Sequence, residues 1–470
     1  MYHPPLINGS SCGDFANPPV THLAVRTVSY WFDKACKLRL AEDLDSLGRE
    51  EIDSLQRANF AATVEAARRQ PAVLGRWPEL AEIDDPDGLA SLPLLTPAEL
   101  AEKCPPHSDE FLVDDGSGGL VVRSSGTAGK TKMTFHSWQS GWQVNYLGAR
   151  GARASLVAPA RRIANCMTPG ELNGAFLFVY GLSRYLRALN FPLGSTTAPA
   201  DVADLISEHD IDVLVAAPAY GTELITSTPA EKLGSLHTYM YLGEAIGRAR
   251  GNAILEAAPA LDVRSLSYST NETGPIGYQC RHVDDNTHHV HEDGVVVEVV
   301  DEESGERVAP GTTGEVIVTT LADAGMILFR YRIGDRGYLG AEACACGSAA
   351  RLLTLEGRTA QSLNVDVWVI SSDQLMSGLA GLGITDPADC QLQVLWDVST
   401  YRLRLLLSQR VADGITPERV VDAVREKYQL LKVMTNRRCT SFTVERVDPR
   451  EFATNARGKV PVLYETGAEL

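Results

Sequence analysis

The chain lacks long apolar runs, a surplus of positive charge and a secretory signal. Residues 175–180 form an apolar run, but it is far shorter than the roughly 20 residues of a membrane-spanning helix. The beginning of the sequence shows no basic segment followed by an apolar core, so we expect no secretory signal. The 60 acidic residues outnumber the 43 Lys and Arg, and the net charge of −17 opposes non-specific binding to nucleic acid or anionic lipid. We therefore predict neither a nucleic-acid partner nor a membrane association.

The nine cysteines are an odd number, which does not suit a complete disulfide framework. Reduced thiols are typical of the cytoplasm, and we expect a cytoplasmic protein. Hydrophobic residues make up 44% of the chain and charged residues 22%, as in ordinary globular proteins. Because 470 residues exceed what one core usually contains, we expect two or three domains.

Short apolar runs alternate with amphipathic stretches through the middle of the chain. Residues 49–69 carry apolar side chains at helical spacing, and residues 211–217 and 238–242 are strand-like runs that each precede a predicted helix. Residues 295–300 and 314–320 predict two more strands, separated by a polar turn. This alternation favours an α/β fold, in which strands are buried between helices.

The composition changes after Gly357-Arg358. The remainder of the chain predicts the order strand, helix, two strands, helix and strand, at residues 362–370, 373–382, 392–396, 401–407, 417–431 and 441–447. Such an order makes a small α+β unit. We therefore predict a large domain of mixed sheets flanked by helices at residues 1–356, and a smaller α+β domain at residues 357–470.

The stretch from Arg123 to Thr131, RSSGTAGKT, follows a run that predicts a buried strand. Its glycines allow backbone N–H groups to approach an anion closely, and its hydroxyls and lysine add further donors. The spacing is not that of a Walker P-loop, because only two residues separate the glycines Gly126 and Gly129. A phosphate-binding loop and a solvated surface turn both fit this composition.

Four further motifs follow this loop. They are a polar turn at residues 268–275, a glycine turn at residues 331–335, the pair Gly357-Arg358, and Gly458-Lys459-Val460. Together and in this order, the five motifs resemble those of the acyl-adenylate-forming superfamily of acyl-CoA synthetases, adenylation domains and firefly luciferase. The likeness is strongest to the phenylacetate–CoA ligase-like branch and covers about residues 55–465. It implies a large N-terminal adenylate-forming domain and a small, mobile C-terminal lid.

The resemblance implies an ATP site. Thr127 and Glu272 would bind Mg²⁺, which prefers oxygen ligands, while Asp335 would accept hydrogen bonds from the ribose hydroxyls. Tyr268 would lie against the adenine. Taken alone, such residues would be read as ordinary turn acids and a core tyrosine. The implied ATP-binding residues are Ser124, Ser125, Gly126, Thr127, Gly129, Lys130, Glu244, Tyr268, Asn271, Glu272, Asp335 and Arg358.

The resemblance also implies a reaction. The carboxylate of an organic acid, expected to be aromatic, would attack the α-phosphorus of ATP, so that pyrophosphate leaves and an acyl-AMP forms. Lys459 would reach from the small domain to the reacting carboxylate and α-phosphate, and Glu272 and Thr127 would act with it through Mg²⁺. The small domain would then rotate, and the thiol of CoA would attack the activated carbonyl.

The acid pocket is expected from two stretches that fall where the family builds it. They contribute Asn173, Gly174, Phe176 and Tyr220. Phe176 and Tyr220 would suit an aromatic ring, and core packing explains them equally well.

Three cysteines and one histidine predict a structural zinc site. Cys344 and Cys346 form a Cys-x-Cys pair, and Cys280 precedes them together with a cluster of histidines. Three thiols and one imidazole complete a tetrahedral zinc site. Some relatives in the resembled branch carry such a zinc, and their pattern selects His289 as the fourth ligand. Reduced surface thiols are the alternative.

Two departures from the family pattern concern the polar turn and the hinge. Ser269 and Asn271 replace the usual glycine and hydroxyl residue. Ala360 and Asp366-Val367 replace an acid and an Arg-Gly pair, and the missing glycine normally helps to line the channel for the pantetheine arm. Transfer to an amine, a carrier-protein thiol or another nucleophile is therefore an alternative to CoA. A non-catalytic, nucleotide-binding relative is a further alternative. The sequence leaves open whether the protein forms a homodimer.

Overall fold

The computed structural model describes the backbone of residues 27–28 and residues 38–105, 107–113, 118–124, 132–283, 286–322, 325–358, 362–366, 368–454 and 460–466. Several predicted residues lie outside this part of the chain, namely Ser125, Gly126, Thr127, Gly129, Lys130, Ala360, Val367 and Lys459, as does the side chain of Ser124.

Helices and strands alternate along the chain. The helices are α1 (Arg49–Arg68), α2 (Pro71–Arg76), α3 (Pro97–Lys103), α4 (Trp138–Ser155), α5 (Gly174–Leu186), α6 (Pro199–Glu208), α7 (Pro218–Ser227), α8 (Arg248–Ala257), α9 (Ser372–Leu379), α10 (Pro417–Arg425) and α11 (Tyr428–Thr435). The strands are β1 (Thr27–Val28), β2 (Leu40–Ala41), β3 (Gly119–Ser124), β4 (Lys132–Ser137), β5 (Arg162–Asn165), β6 (Leu189–Pro192), β7 (Val213–Ala216), β8 (Thr238–Tyr241), β9 (Asp262–Ser265), β10 (Tyr268–Thr270), β11 (Gly274–Tyr278), β12 (Thr287–Val290), β13 (Val295–Val300), β14 (Gly314–Thr320), β15 (Tyr331–Leu339), β16 (Leu352–Arg358), β17 (Ser362–Val365), β18 (Trp368–Ser371), β19 (Cys390–Trp396), β20 (Tyr401–Ser408), β21 (Cys439–Val447) and β22 (Leu463–Thr466). Among the described residues, no helix combines the length and the hydrophobicity needed to span a bilayer.

A five-stranded parallel sheet forms the centre of the N-terminal region, in the order β6-β5-β7-β8-β9. Its central strand β7 is buried along its whole length, because helices cover the sheet as the apolar runs predict. Proline at the first turn of α6 and of α7 starts these helices directly after extended backbone. The mixed α/β fold class predicted from the sequence is confirmed.

A second sheet of seven antiparallel strands has the order β10-β11-β12-β16-β15-β14-β13. Strands β13 and β14 match the predicted runs 295–300 and 314–320 residue for residue. The neighbouring strands β15 and β16 place Asp335 directly opposite Arg358. The sheet thus joins motifs that lie far apart in the sequence.

Strand β3 precedes the glycine-rich loop, as predicted, but it is not a buried strand. It pairs only with β4 in a two-stranded hairpin, and Val121 is exposed. The hairpin is not enclosed between two layers of helices, so the apolar run of β3 is buried on one face of the hairpin only.

Residues 362–466 form a C-terminal unit with a hydrophobic core of its own. Its sheet has the order β21-β20-β19-β22, and β17 and β18 form a separate hairpin. The predicted helix 417–431 is in fact two helices, α10 and α11, interrupted where Lys427 is extended. On a single straight helix, the side chains of Val424 and Leu430 would point about 120° apart, since each residue turns by about 100°. The break lets both side chains enter the core.

Candidate active site

A cavity of about 1190 Å³ lies between the N-terminal region and the C-terminal unit. The N-terminal region contributes the polar turn and the strand ends, and the C-terminal unit contributes Asn364, Trp368 and Gln429. Cavities that combine apolar walls with a few converging charged groups are typical of ligand sites. The lining residues predicted for ATP are Tyr268, Asn271, Glu272, Asp335, Arg358 and Glu244.

Glu272 forms a buried ion pair at the wall of the cavity. Lys132 Nζ lies 2.5 Å from Glu272 Oε1 and donates a hydrogen bond to the Tyr331 hydroxyl at 2.7 Å. Burial alone would lower the pKa of Lys132, but Glu272 and Tyr331 outweigh this effect and raise that pKa above its ordinary value. The site therefore contains a fixed ammonium and a fixed carboxylate.

Sequence reasoning missed Lys132 as a site residue. It singled out Lys130, two positions earlier, which lies outside the described residues. The available signal was the start of a strand: β4 begins at Lys132, so this side chain has a fixed direction, as residues of a strand do.

Tyr268, Asp335 and Arg358 form a second polar group on the seven-stranded sheet. The Tyr268 hydroxyl donates to Asp335 Oδ2 at 2.8 Å, and Arg358 Nε lies 3.0 Å from Asp335 Oδ1. Burial, reinforced by the Asp335 carboxylate, raises the pKa of Tyr268 well above its usual value, so the phenol stays protonated. The three predicted residues are thus brought together around one carboxylate.

Asn271 holds the polar turn against the hairpin of β3 and β4. Its side-chain amide donates to the Arg123 carbonyl at 3.0 Å, and His136 Nε2 donates to the Asn271 carbonyl at 2.7 Å. Burial lowers the pKa of His136, which therefore makes this contact as a neutral imidazole near pH 7. Asn271 thus joins the turn to the hairpin that carries the glycine-rich loop.

Glu244 is buried beside the cavity and paired with Arg250, whose Nη1 lies 2.8 Å from Glu244 Oε1. The guanidinium of Arg250 stacks on Trp396 of the C-terminal unit at 4.0 Å and donates to the Val398 carbonyl at 3.2 Å. Burial raises the pKa of Glu244 to about 8, although Arg250 opposes the shift. One ion pair therefore connects the cavity wall to the C-terminal unit.

The predicted acid-pocket residues divide into two pairs. Asn173 and Gly174 line the cavity, and the Asn173 side chain accepts from the Ala175 amide at 3.0 Å to cap α5. Phe176 does not line it and packs against a hydrophobic core. Tyr220 is wholly buried in another core, where its hydroxyl donates to the Thr197 carbonyl. For these two aromatics, the core-packing alternative is the one observed.

Polar contacts join the two parts of the chain on either side of the cavity, most of them exposed and one of them through the buried Arg438. Glu171 accepts from Lys432 at 2.6 Å and from the Tyr428 hydroxyl at 2.8 Å. Arg437 and Arg438 donate to Glu223 at 2.7 and 2.8 Å. We call these contacts the seam.

Asp366, at the altered hinge, has a left-handed backbone with φ of 57°. Its carboxylate is buried, accepts from Asn436 at 2.8 Å and lies 3.3 Å from Arg438. These contacts stabilise a turn that a residue other than glycine adopts only at a cost. The turn splits the predicted strand 362–370 into β17 and β18.

The four predicted zinc ligands converge away from the cavity. The ligand atoms of Cys280, His289, Cys344 and Cys346 all lie within 4.8 Å of one another. Cys280 Sγ is 3.6 Å from Cys344 Sγ, and Cys346 Sγ is 3.5 Å from His289 Nε2. Three sulfurs and one imidazole at such separations fit a tetrahedral zinc ion.

Comparisons with known proteins identify relatives of the chain. Residues 99–322 match the AMP-binding enzyme family. The chain is 27% identical over 330 residues to phenylacetate-coenzyme A ligase of Thermus thermophilus. This alignment covers 67% of this chain and 72% of that protein. The chain is 25% identical over 316 residues to phenylacetate-coenzyme A ligase of Escherichia coli, covering 63% and 68%.

Solved structures share the fold. The crystal structure of 2-hydroxyisobutyryl-CoA ligase in complex with 2-HIB-AMP and CoA superposes with a TM-score of 0.72 at 17% identity, covering 90% of this chain and 92% of that one. The same ligase in its postadenylation state gives a TM-score of 0.60, covering 90% of each chain. The predicted arrangement of a large N-terminal adenylate-forming fold is thus confirmed.

Proposed function

We propose that this chain, an AMP-forming ligase of the acyl-adenylate-forming superfamily in its phenylacetate–CoA ligase-like branch, activates an aromatic carboxylic acid as acyl-AMP and transfers it to CoA. The observation that carries the proposal is one cavity that contains Glu272, Asp335, Tyr268 and Arg358. Its support is chemical, because this set offers a carboxylate for a metal, a carboxylate for a ribose and an aromatic ring for a base.

The nucleotide would lie across the cavity with its ribose at Asp335. This carboxylate is oriented by Tyr268 and Arg358, so it can accept from two hydroxyls without rearranging. Ser124, Ser125, Gly126, Thr127, Gly129 and Lys130 would hold the phosphates. Mg²⁺, bound through Glu272 and Thr127, would neutralise the charge of the departing pyrophosphate.

Lys459 would supply the second cation of the reaction. The acid's carboxylate oxygen attacks the α-phosphorus as the bond to the bridging oxygen of pyrophosphate breaks, and a lysine beside both groups stabilises the charge that develops. The thiolate of CoA then displaces AMP from the activated carbonyl. Holding the reactants together accounts for most of the acceleration, since neither step requires a strong base from the protein.

The buried Asp366 favours a second acceptor as an alternative. It stands at the turn where the resembled enzymes have an Arg-Gly pair, and its ion pair with Arg438 fills that turn. An amine or a carrier-protein thiol would approach by another route. A homodimer and a cytoplasmic location stay predictions, and nothing favours the non-catalytic alternative.

ATP–pyrophosphate exchange over a panel of benzoic and phenylacetic acids tests the proposed function. We expect exchange that depends on both the acid and Mg²⁺. Product analysis with CoA and with amines then identifies the acceptor. If no acid in the panel supports exchange, the proposal is wrong.

We also propose that Cys280, His289, Cys344 and Cys346 bind a structural Zn²⁺. Metal analysis of the purified protein is expected to give about one zinc per chain, and Cys344→Ser should lose it and lower the unfolding temperature. Cys439→Ser is the matched control, because Cys439 lies outside the cluster. Less than about half an equivalent of zinc in the unaltered protein would contradict the assignment.

A further inference from the structure

The cavity continues beyond the nucleotide motifs as a groove along α5. The helix begins beside the polar turn, since a Cβ on Gly174 would lie 3.2 Å from the Asn271 side-chain oxygen. Residues that line the cavity then recur along α5 as far as Arg184 and Tyr185. The ten steps along the helix from Gly174 to Arg184 correspond to about 15 Å. The groove is therefore longer than an acid with one ring needs.

Helix α4 packs side by side with α5, runs antiparallel to it and lines the same cavity. A Cβ on Gly181 would lie 2.4 Å from Asn145, and one on Gly148 would lie 2.3 Å from Phe178. These two positions need glycine because the helices approach so closely. Because the two helices are antiparallel, α4 begins near the end of α5. This is the end of the groove that lies farthest from the polar turn.

The outer end of the groove is aromatic and open. Tyr146 contacts both Trp142 and Tyr185, with ring centroids 6.0 and 5.7 Å apart. Trp138 and Tyr180 line the same cavity and are 60% and 55% exposed. Exposed aromatic side chains inside a cavity offer apolar surface that a ligand can cover.

Two observations identify the occupant as part of the substrate. The groove is continuous with the cavity that holds Glu272 and Asp335. Among the α4 and α5 residues that line it, Arg184 is the only charged one, so the walls suit an uncharged, flat group.

We propose that the acid is an extended aryl acid, whose carboxylate lies beside the nucleotide and whose second ring, or other planar apolar group, lies in the outer groove against Trp138 and Tyr180. This inference rests on the proposed acid-activating function and adds the size and shape of its substrate.

Pyrophosphate exchange with phenylacetate and with biphenyl-4-acetate tests the inference, because the two acids differ only by the second ring. We expect kcat/KM to be at least about tenfold higher for biphenyl-4-acetate. Trp138→Ala and Tyr180→Ala should each lower it by about 3- to 10-fold for biphenyl-4-acetate and leave phenylacetate within about twofold. Trp138→Phe should restore most of the loss. Leu255→Ala is the control, because Leu255 is 52% exposed but lies outside the cavity.

Each contrary result has a distinct meaning. Exchange with phenylacetate and none with biphenyl-4-acetate would overturn the inference and leave the proposed function standing. Equal losses for both acids in the two alanine variants would show that the exposed aromatics serve another contact, such as the C-terminal unit, and would also overturn it. Failure of every acid would overturn the proposed function and the inference together.

Discussion

The two sides of the cavity are held by ion pairs of different kinds. On the N-terminal side, Lys132 and Glu272 have side chains that are only 8% and 5% exposed. At the seam, the corresponding values for Lys432 and Glu171 are 30% and 43%. Removing one partner of a buried pair costs about 3–5 kcal/mol, whereas an exposed pair contributes about 0–1 kcal/mol.

This difference assigns different tasks to the two sides. A buried pair with satisfied partners cannot rearrange without leaving a charge unpaired, so the N-terminal side presents a preformed surface to the nucleotide. Exposed pairs exchange their partners for water at little cost, so the seam can open. A fixed half and a releasable half would suit the proposed reaction, in which two steps follow each other in one cavity.

The largest expected effect comes from breaking the buried pair. Lys132→Met should lower the free energy of unfolding by about 3–5 kcal/mol, because Glu272 stays buried without its cation. Pyrophosphate exchange should fall at least about 100-fold, because the carboxylate loses its orientation. Chemical denaturation and exchange assays measure the two effects.

Lys432→Met is the matched control, since it also removes a lysine that pairs with a glutamate. It should cost no more than about 1 kcal/mol. Equal losses of stability in the two variants would remove the distinction between the two sides of the cavity.

Lys459→Ala should lower pyrophosphate exchange by about 100- to 1000-fold, because the charge of the displacement loses its cation. The unfolding midpoint should not change. Lys427→Ala, on the same unit, controls for the loss of a lysine. Exchange within about threefold of the unaltered protein would remove Lys459 from the reaction.

The fold could be predicted where the apolar pattern decides the local structure. The runs of β13 and β14 are as expected, because a buried strand is specified by adjacent residues. The hairpin of β17 and β18 was missed, since its turn depends on Asp366 finding Arg438 and Asn436 from a distant part of the chain. Contacts of that kind leave no periodicity in the sequence.

The candidate site shows the same division. Glu272, Asp335 and Arg358 were predicted to share one site because they belong to recognisable motifs, and they line the same cavity. Lys132 was missed because its importance comes from Glu272, which lies in the turn between β10 and β11, far away in the sequence. Phe176 and Tyr220 were misplaced because an aromatic residue near a pocket motif can face either the cavity or the core, and only packing decides.

A smaller effect is expected at the seam. Glu171→Gln removes the charge that pairs with Lys432, and should weaken docking of the C-terminal unit by about 0–1 kcal/mol. Fluorescence energy transfer between dyes on the two parts of the chain measures the docked fraction. The effect should disappear near 1 M salt, where screening is strong. Asp204→Asn, in an exposed pair within the N-terminal region, is the control. A loss that persists in high salt would mean that the seam is not held by exposed charges.

A further effect concerns pH and the buried Glu244. Burial raises its pKa to about 8, Asp366 and Glu465 of the C-terminal unit raise it further, and Arg250 opposes them. A carboxyl group whose pKa is raised in the folded protein favours folding fully below its ordinary pKa, and this contribution is lost as the pH rises through the folded value. The unfolding temperature should therefore fall between about pH 5 and pH 8, by a few degrees, and Glu244→Gln should flatten that dependence. An unchanged slope in Glu244→Gln would show that Glu244 keeps its charge throughout and that Arg250 outweighs the burial. Any pH dependence of the unfolding temperature in that range would then come from other groups.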